Sequence, residues 1–367
     1  MILWVMIFKL ILQRNFVIID QRFLKSGAIA SLSPDLILLA FGSRQSYASS
    51  KDLDLTMPAF YYPDFFLKSS FPWIQFSDWK IIETKYLIKL LNPPAILRPE
   101  WMIENQFLFQ ENFYQLKQLF EQKQLEKAVP YIFAHSHTKM TLNQLKTSLK
   151  KALEQLSISS VHLYGYWDNE KGILGLTPEI LFEWNNQNTH LVKTMALAGT
   201  KKLENANPFS LDRKELFEHQ VVVEGICESL ASLGKVSIGQ RQLLQLPILT
   251  HLMTPIEMSL YQPTSFEVLV RALHPTPALG AFPRQKGEEW LCHYQNQLDR
   301  NSFGAPVGLS FPEKGIKNCY VAIRNVQWND QGMKIGAGCG VVSESRLDQE
   351  WEELCLKLQA VKNGLDL

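Results

Sequence analysis

Residues 336–357, GAGCGVVSESRLDQEWEELCLK, combine residue types that can bind an anion and a cation side by side. The glycines, among them Gly338, predict a strand whose backbone a ligand can approach closely. The apolar residues that follow recur at helical spacing, and Glu350, Glu353 and Lys357 border that stripe within roughly 60° of one another. Two carboxylates and an ammonium group therefore lie at the edge of the predicted core. Taken alone, this row is also typical of an exposed helix face with i,i+4 ion pairs.

The composition of the whole chain argues against several classes of function. The chain has 367 residues, 46% of them hydrophobic, which permits a large core in one or two domains. Its 37 basic and 36 acidic residues give a formal charge of +1, which favours neither a nucleic acid nor a membrane surface as partner. The five cysteines include no CxxC pair, as expected of reduced thiols in the cytoplasm. A small molecule is therefore the expected ligand.

Two further features are interpreted as structural. The first 19 residues resemble a signal peptide, but no basic residue precedes the apolar run and Lys9 interrupts it, so a buried strand is expected. No later segment is long and apolar enough to span a bilayer. His135 and His137 form an HxH pair, but no Cys or His cluster nearby completes a zinc site.

Hydrophobic periodicity predicts the elements that must position these residues. Helices are expected at 106–127, 141–156, 264–273 and 288–299, and another that starts at Ser210 or Asp212 and ends near 233. Strands are expected at 128–134, 161–168, 172–184, 190–199, 307–311, 320–328 and 332–338, the second to fourth forming an antiparallel meander with a turn at 185–188. Residues 274–283 are too rich in proline and glycine for a regular element. Strands mixed with helices, without βαβ alternation, predict an α+β fold.

Five stretches in order carry a resemblance to a known family. They are TPEILF with Glu179, ALAGT with Thr200, ELFEHQVV with Glu218, HPTPALGAFP, and FGAPVG…VAIR…GAG…EWEELCLK. In this order they closely resemble the chorismate-binding enzymes, which include isochorismate, anthranilate, aminodeoxychorismate and salicylate synthases. The resemblance covers roughly residues 125–362. It implies two packed, largely antiparallel β-sheets with helices outside, in which residues 1–115 contribute strands and residues 116–367 form the chorismate-binding catalytic part.

The resemblance implies a Mg²⁺ site on glutamates from two helices. Glu218 and Glu353 match the family's metal-binding glutamates, and Glu350 matches a third that binds the metal or a metal-bound water. Mg²⁺ prefers oxygen ligands of this kind. An isolated Glu218 would instead be expected on a solvated helix face.

The resemblance also implies contacts to the carboxylates of chorismate. Arg324 in VAIR matches the residue that binds one carboxylate, for which a planar guanidinium is suited. A strand arginine can also pair with a neighbouring acid, and the two roles do not exclude each other. Gly199, Thr200 and Gly338 correspond to backbone and hydroxyl contacts. Lys357 matches a lysine that offsets the charge of the glutamates.

Isochorismate synthases add water at C2 of chorismate and lose the C4 hydroxyl, so they need a base and an acid. Lys127 matches the water-activating lysine, although EKAVPYI departs from the usual KVVLAR, and the alternative is a solvated lysine at a helix end. A lysine base needs a lowered pKa. Glu179 matches the acid, which needs a raised pKa. His274 either orients the enolpyruvyl side of the substrate or is held structurally.

Other positions favour one member of the family. Ala198 stands where aminodeoxychorismate synthases carry a lysine nucleophile, and Ala278 and Leu279 match the isochorismate synthase version of the loop. Phe303 replaces a usual tyrosine. We therefore expect a Mg²⁺-dependent isochorismate synthase, monomeric or homodimeric, without a glutaminase subunit, serving menaquinone or siderophore and salicylate synthesis. The alternatives are a salicylate synthase, which also eliminates pyruvate, and a catalytically inactive chorismate-binding homologue.

Overall fold

The computed structural model of the protein describes residues 20–184, 190–202 and 213–367. Three sequence predictions lie outside these residues. They are the strand in residues 1–19, the turn at 185–188, and the start of a helix at Ser210 or Asp212. In the described part of the chain, no helix is long and apolar enough to cross a bilayer.

The strands of the described residues pair only in antiparallel fashion. Their bounds are β1 Gly27–Ser33, β2 Leu36–Tyr47, β3 Ala59–Tyr61, β4 Trp73–Glu83, β5 Met102–Ile103, β6 Lys127–Ala128, β7 Tyr131–Ser136, β8 His162–Trp167, β9 Gly172–Thr177, β10 Ile180–Trp184, β11 Leu191–Lys202, β12 Gly234–Ile238, β13 Gln242–Gln245, β14 Leu249–Leu260, β15 Ala281–Phe282, β16 Pro306–Phe311, β17 Ile316–Val321, β18 Asn325–Asn329, β19 Gly332–Gly338 and β20 Val341–Val342.

Seventeen strands form one ribbon in which the amino-terminal strands stand in the middle. The order runs β5-β7-β19-β18-β9-β8-β1-β2-β4-β3-β16-β17-β10-β11-β14, with β12 and β13 both on β14. A small second sheet joins β15, β6 and β20. Strands from both halves of the ribbon contribute to one cluster of buried apolar side chains. The predicted α+β class with largely antiparallel sheets is confirmed, whereas the division at residues 115 and 116 stays a prediction.

One half of the ribbon contains β9 and β18, and the other contains β10 and β17. The chain passes from one half to the other at two adjacent points. The strand predicted over 172–184 is split into β9 and β10 at Pro178, which cannot donate a hydrogen bond to a strand ladder. The strand predicted over 320–328 is split into β17 and β18, because Arg324 adopts a left-handed backbone conformation with φ +55°. Strand β9 pairs with β18 and β10 pairs with β17, so the predicted continuous meander is wrong at this step.

The helices cover the ribbon from outside. Their bounds are α1 Gln21–Lys25, α2 Thr84–Leu90, α3 Gln106–Glu121, α4 Leu142–Leu156, α5 Arg213–Leu230, α6 Phe266–Leu273, α7 Arg284–Gln297 and α8 Leu347–Leu365. Helix α3 ends earlier than predicted, and Lys123 just beyond it has φ +56°. Lys127 therefore lies in β6, between β15 and β20. Helix α4 packs against α8, and α5 packs against β11, which brings the predicted site elements together.

Candidate active site

The two crossing points of the ribbon place the Glu179 carboxyl group and the Arg324 guanidinium at one cavity. The backbone of Leu176 donates to the carbonyl of Arg324 at 3.1 Å, and that of Val321 donates to the carbonyl of Glu179 at 3.1 Å. Because the two crossings are hydrogen-bonded in this way, Glu179 and Arg324 are held at the same level of the ribbon. Both line a small internal cavity of about 50 Å³. Arg324 and Pro178 also line a neighbouring cavity of about 230 Å³, so a ligand at Glu179 can extend past the guanidinium.

The cavity gathers most of the residues that the sequence singled out. Its walls include Glu179, Thr200, Glu218, Ala278, Leu279, Arg324, Gly338 and Lys357. Lys127 and Glu353 contact this group directly, and Gly199 is the chain neighbour of Thr200. Glu350 is joined to it through Lys214, which contacts both Glu350 and Glu218. The apolar ring of Phe303 forms part of the wall, so the tyrosine hydroxyl expected at that place is absent.

Glu179 has the environment of a carboxylic acid. Its side chain is 4% exposed, and its own backbone N–H donates to Thr177 Oγ1 at 3.2 Å. Burial raises the pKa of Glu179 to about 7, although the positive charges of Lys127 and Arg324 act in the opposite direction. A group with this pKa retains a proton near neutrality and can donate it.

Lys127 has the environment of a lysine that can become neutral. It is 1% exposed, its Nζ donates to the carbonyl of Pro277 at 2.7 Å, and the same atom lies 3.4 Å from Glu218 Oε1. Burial lowers the pKa of Lys127, and the charges of Lys214 and Lys357 add to that effect against the opposing carboxylate. The alternative of a solvated lysine at a helix end is wrong, because this side chain is buried within a sheet.

The guanidinium of Arg324 is available to a ligand. No hydrogen bond or ion pair holds it among residues 20–184, 190–202 and 213–367, although it faces two cavities. Burial lowers the pKa of Arg324 to about 10, while Glu353 and Glu179 act to raise it. The group therefore stays charged at neutral pH. A planar cation without a fixed partner suits bidentate binding of a carboxylate.

A bulge in β11 turns one hydroxyl into the cavity. Pairing with β14 shifts register between Ala198 and Thr200, where Gly199 has φ +77°, a conformation that favours glycine. The backbone of Thr200 donates to Glu215 Oε2 at 2.7 Å. Its Oγ1 lies 3.1 Å from Nδ1 of His251, which stands opposite it on β14.

His251 lines the cavity and was missed by sequence reasoning. Burial lowers the pKa of His251 well below its usual value, so the ring is neutral. The Thr200 hydroxyl also donates to the Glu353 carboxylate, which leaves Nδ1 of His251 as the donor to Thr200. Nε2 is then an acceptor, and it is buried without a partner in the described structure. The only sequence signal is a lone histidine in a strand, which does not reveal this pairing.

Helices α5 and α8 bring glutamates to the rim of the cavity. Glu215 and Glu218 lie on α5, and Glu350 and Glu353 lie on α8. Lys357 Nζ is 2.5 Å from Glu353 Oε1 and donates to the Gly338 carbonyl at 2.7 Å. The strand with Gly338 and helix α8 are thereby joined at the site.

The four carboxylates do not titrate alike. Burial raises the pKa of Glu215 to about 8 and that of Glu350 to about 7. For Glu218 and Glu353, burial is outweighed by nearby lysines, so the pKa of each carboxyl is lowered. The two residues matched to the family's metal-binding glutamates are therefore the two that stay ionised.

The donor set fits a Mg²⁺ ion. It consists of carboxylate oxygens from two helices, and Glu350 Oε2 is buried without a hydrogen-bond partner in the described part of the chain. Gly340 leaves space beside these oxygens, since a Cβ there would lie 1.9 Å from Glu218 Oε1. No three Asp, Glu, His or Cys side chains of the described ranges converge as a ready metal site. The Lys214 ammonium stands between Glu218 and Glu350 instead.

The structure does not bring His274 into the cavity. Its Nε2 lies 2.6 Å from the carbonyl of Phe65, and the Phe65 ring packs edge-on against the imidazole at 4.7 Å between centroids. Burial lowers the pKa of His274 to about 3. The side chain therefore ties the proline-rich loop to the amino-terminal region, in line with the structural role left open by the sequence.

Comparison with known families gives one match that spans most of the chain. A family model described as chorismate binding enzyme matches residues 84–366, more than half of the sequence. This match begins upstream of the residues that carried the resemblance and includes every cavity-lining residue named above.

Individual relatives match over shorter stretches. The salicylate biosynthesis isochorismate synthase of Pseudomonas aeruginosa is 34% identical over 157 residues, which is 41% of this chain and 32% of that protein. The isochorismate synthase EntC of Escherichia coli K12 is 29% identical over 205 residues, which is 53% of this chain and 51% of that protein. The chain thus matches about a third of the length of the first relative and about half of the length of the second.

Solved structures match over nearly the whole chain. The menaquinone-specific isochorismate synthase MenF of Escherichia coli superimposes with a TM-score of 0.74 and 16% identity, covering 96% of this chain and 92% of that one. At that identity the likeness establishes the fold.

Proposed function

We propose, on the premise that this chain belongs to the family of chorismate-binding enzymes, that it converts chorismate to isochorismate. The observation that supports the proposal is that Lys127 and Glu179, 1% and 4% exposed, are both buried at one site, Glu179 in the cavity wall and Lys127 against Glu218 of that wall. Burial there lowers the pKa of the lysine and raises that of the glutamate. Water addition at one ring carbon with loss of hydroxyl at another needs these two protonation states at once.

In the proposed reaction, neutral Lys127 accepts a proton from water as its oxygen bonds to C2. The two ring double bonds shift from C1=C2 and C5=C6 to C1=C6 and C4=C5, and the C–O bond at C4 breaks. Protonated Glu179 gives its proton to the departing hydroxyl, which leaves as water. One water is consumed and one is released, so the overall change is an isomerisation.

The remaining residues bind and orient the substrate. Arg324 pairs with one carboxylate, because its guanidinium has no fixed partner in the described structure and faces both cavities. The backbone at Gly338 and Gly199 and the Thr200 hydroxyl serve as polar contacts, and Ala278 and Leu279 form the apolar wall. His251 accepts a hydrogen bond from a substrate hydroxyl or from the attacking water, because Nε2 is the unprotonated nitrogen.

The proposed cofactor is Mg²⁺, held by Glu218 and Glu353 with Glu350 as a further ligand or the holder of a metal-bound water. When bound, the ion supplies positive charge that fixes a substrate carboxylate and favours charge build-up on the ring. Lys357 keeps Glu353 ionised and in place through its short ion pair.

The pathway and location are also proposed. By their names, two of the proteins compared above serve salicylate or menaquinone synthesis, and the product of this chain would enter one of these routes or siderophore synthesis. All five cysteines are free thiols, which supports a cytoplasmic protein. Because the proposed reaction adds water and not ammonia, no glutaminase partner is required.

Incubation with chorismate, Mg²⁺ and isotope-labelled water tests the proposal. Isochorismate labelled at C2, without early pyruvate, supports an isochorismate synthase. Early release of pyruvate with a fluorescent aromatic product would instead identify a salicylate synthase. Binding of chorismate without turnover would identify an inactive homologue.

A further inference from the structure

A third lysine, not used in the proposed reaction, lies inside the carboxylate cluster. Lys214 Nζ is 3.0 Å from Glu350 Oε1, 3.2 Å from Glu218 Oε2 and 3.4 Å from Glu215 Oε1. These contacts join helix α5 to helix α8. The ammonium thus stands among oxygens that include two of the proposed metal-binding carboxylates.

The partners of Lys214 differ in kind from those of the other two lysines. Lys127 donates to the Pro277 carbonyl, and Lys357 donates to the Gly338 carbonyl, so a neutral backbone acceptor holds each in place. Every partner of Lys214 found in the described ranges is a carboxylate. If a divalent cation neutralised those carboxylates, Lys127 and Lys357 would keep an acceptor, but Lys214 would lose its attraction.

Lys214 is also the lysine best able to leave. Its side chain is 14% exposed, against 1% for Lys127 and 11% for Lys357, whose ammonium is tied to Gly338. Its four-carbon stem is flexible, and a lysine ammonium is strongly hydrated. The carboxylates are more deeply buried, with Glu350 2% and Glu218 7% exposed. The ligands therefore stay in place when the ammonium moves towards solvent.

We propose that Lys214 is a tethered cation that occupies the position of the divalent ion, keeps the metal-free cluster folded, and must withdraw before the ion can bind. This inference rests on the proposed metal site, where the Lys214 ammonium competes with the metal ion for the carboxylates. The ammonium has two effects. Lys214 prevents buried carboxylates from repelling one another in the metal-free protein, and it lowers the affinity of the cluster for metal.

The test is Mn²⁺ binding without substrate, followed by electron paramagnetic resonance, in the wild type, Lys214→Met and Lys214→Gln. We expect both variants to bind Mn²⁺ at least about tenfold more tightly, because the ion no longer displaces charge-assisted hydrogen bonds. Lys193→Met is the matched control, because Lys193 pairs with Glu257 on the surface, away from the cluster. Its Mn²⁺ affinity should equal that of the wild type.

Thermal unfolding gives a second readout. The metal-free Lys214→Met protein should melt below the metal-free wild type, and saturating Mn²⁺ should remove most of that difference. Lys214→Gln, which can still donate hydrogen bonds to carboxylates, guards against loss of folding in the methionine variant. Equal or weaker Mn²⁺ affinity in both folded variants would overturn the role of Lys214. Failure of wild type and variants alike to bind Mn²⁺, with or without chorismate, would instead overturn the proposed metal site.

Discussion

Two depressions in the described part of the chain differ in size and in chemistry. One is an open cleft of about 640 Å³ between strand ends, lined by His135, His137 and Lys171 among others. The other is the cavity of about 50 Å³ at Glu179 and Arg324. The smaller one holds side chains whose charges are forced together away from water, whereas Lys171 in the cleft is exposed. Convergence of buried charge, and not volume, therefore distinguishes the candidate site.

The difference has a physical origin in the ribbon. The cavity lies where two strand pairs cross from one half to the other, and helices α5 and α8 close over it. Charged groups there can lower their free energy only through one another or through a ligand. In the cleft, His137 and Lys171 are exposed to solvent, so pairing of such groups contributes little.

Substitution of Lys127 should reduce activity more than any other change considered. Lys127→Ala removes the proposed base, and we expect turnover to fall by about 10²–10⁴-fold with chorismate binding changed only a few-fold. Lys171→Ala in the cleft is the matched control and should leave turnover unchanged. Rates of isochorismate formation measure both. Wild-type turnover in Lys127→Ala would show that another group activates the water.

Glu179→Gln should change the pH dependence of stability. In the folded protein the pKa of Glu179 is about 7, above its ordinary 4.5, so between these values the folded state holds a proton that the unfolded state releases. Stability from this group is intact below about pH 4.5 and is lost as the pH rises through 7, a loss of about 3 kcal/mol. Glutamine cannot titrate, so the stability of the variant should lack this decrease with rising pH.

Urea unfolding of both proteins at pH 4.5 and pH 8 measures the effect. Between pH 4.5 and pH 8, the free energy of unfolding of the variant relative to that of the wild type should rise by about 3 kcal/mol. Glu104→Gln, at the cleft, serves as the control and should run parallel to the wild type. Parallel curves for Glu179→Gln would mean that Glu179 is ionised at neutral pH and does not serve as the acid.

Neutralising a proposed metal ligand should weaken the Mg²⁺ response. For Glu218→Gln or Glu353→Gln we expect the Mg²⁺ concentration needed for half-maximal activity to rise about 10–100-fold, as is typical when one group of a metal site is altered. Glu257→Gln, on the surface, should leave the titration unchanged. An unaltered Mg²⁺ titration in both cavity variants would place the ion elsewhere.

His251 provides the smallest test of the comparison. His251→Phe removes one neutral acceptor from the cavity, so kcat/KM should fall about tenfold, the value of one hydrogen bond. His135→Phe in the larger cleft should have no such effect. Equal values for both variants would remove the distinction between the two histidines.

The sequence predicted those parts of the site that depend on residue type and order. Glu179, Glu218 and Arg324 occur in short motifs, and the structure places all three at one cavity. The sequence did not predict the two strand breaks beside Glu179 and Arg324, because hydrophobic periodicity continues through both. His251 and Lys214 were missed for a related reason. Their positions depend on pairing across a bulge and on contact between two helices, and local spacing encodes neither.

The left-handed backbone at Arg324 sets two kinds of selection against each other. A residue with a Cβ in that conformation carries a cost of about 1–2 kcal/mol, which glycine would avoid. Selection for thermal stability alone would therefore favour glycine at position 324, and the guanidinium would be lost. Stabilising substitutions should therefore be made at other positions, because glycine at position 324 would remove the group that is proposed to bind a carboxylate.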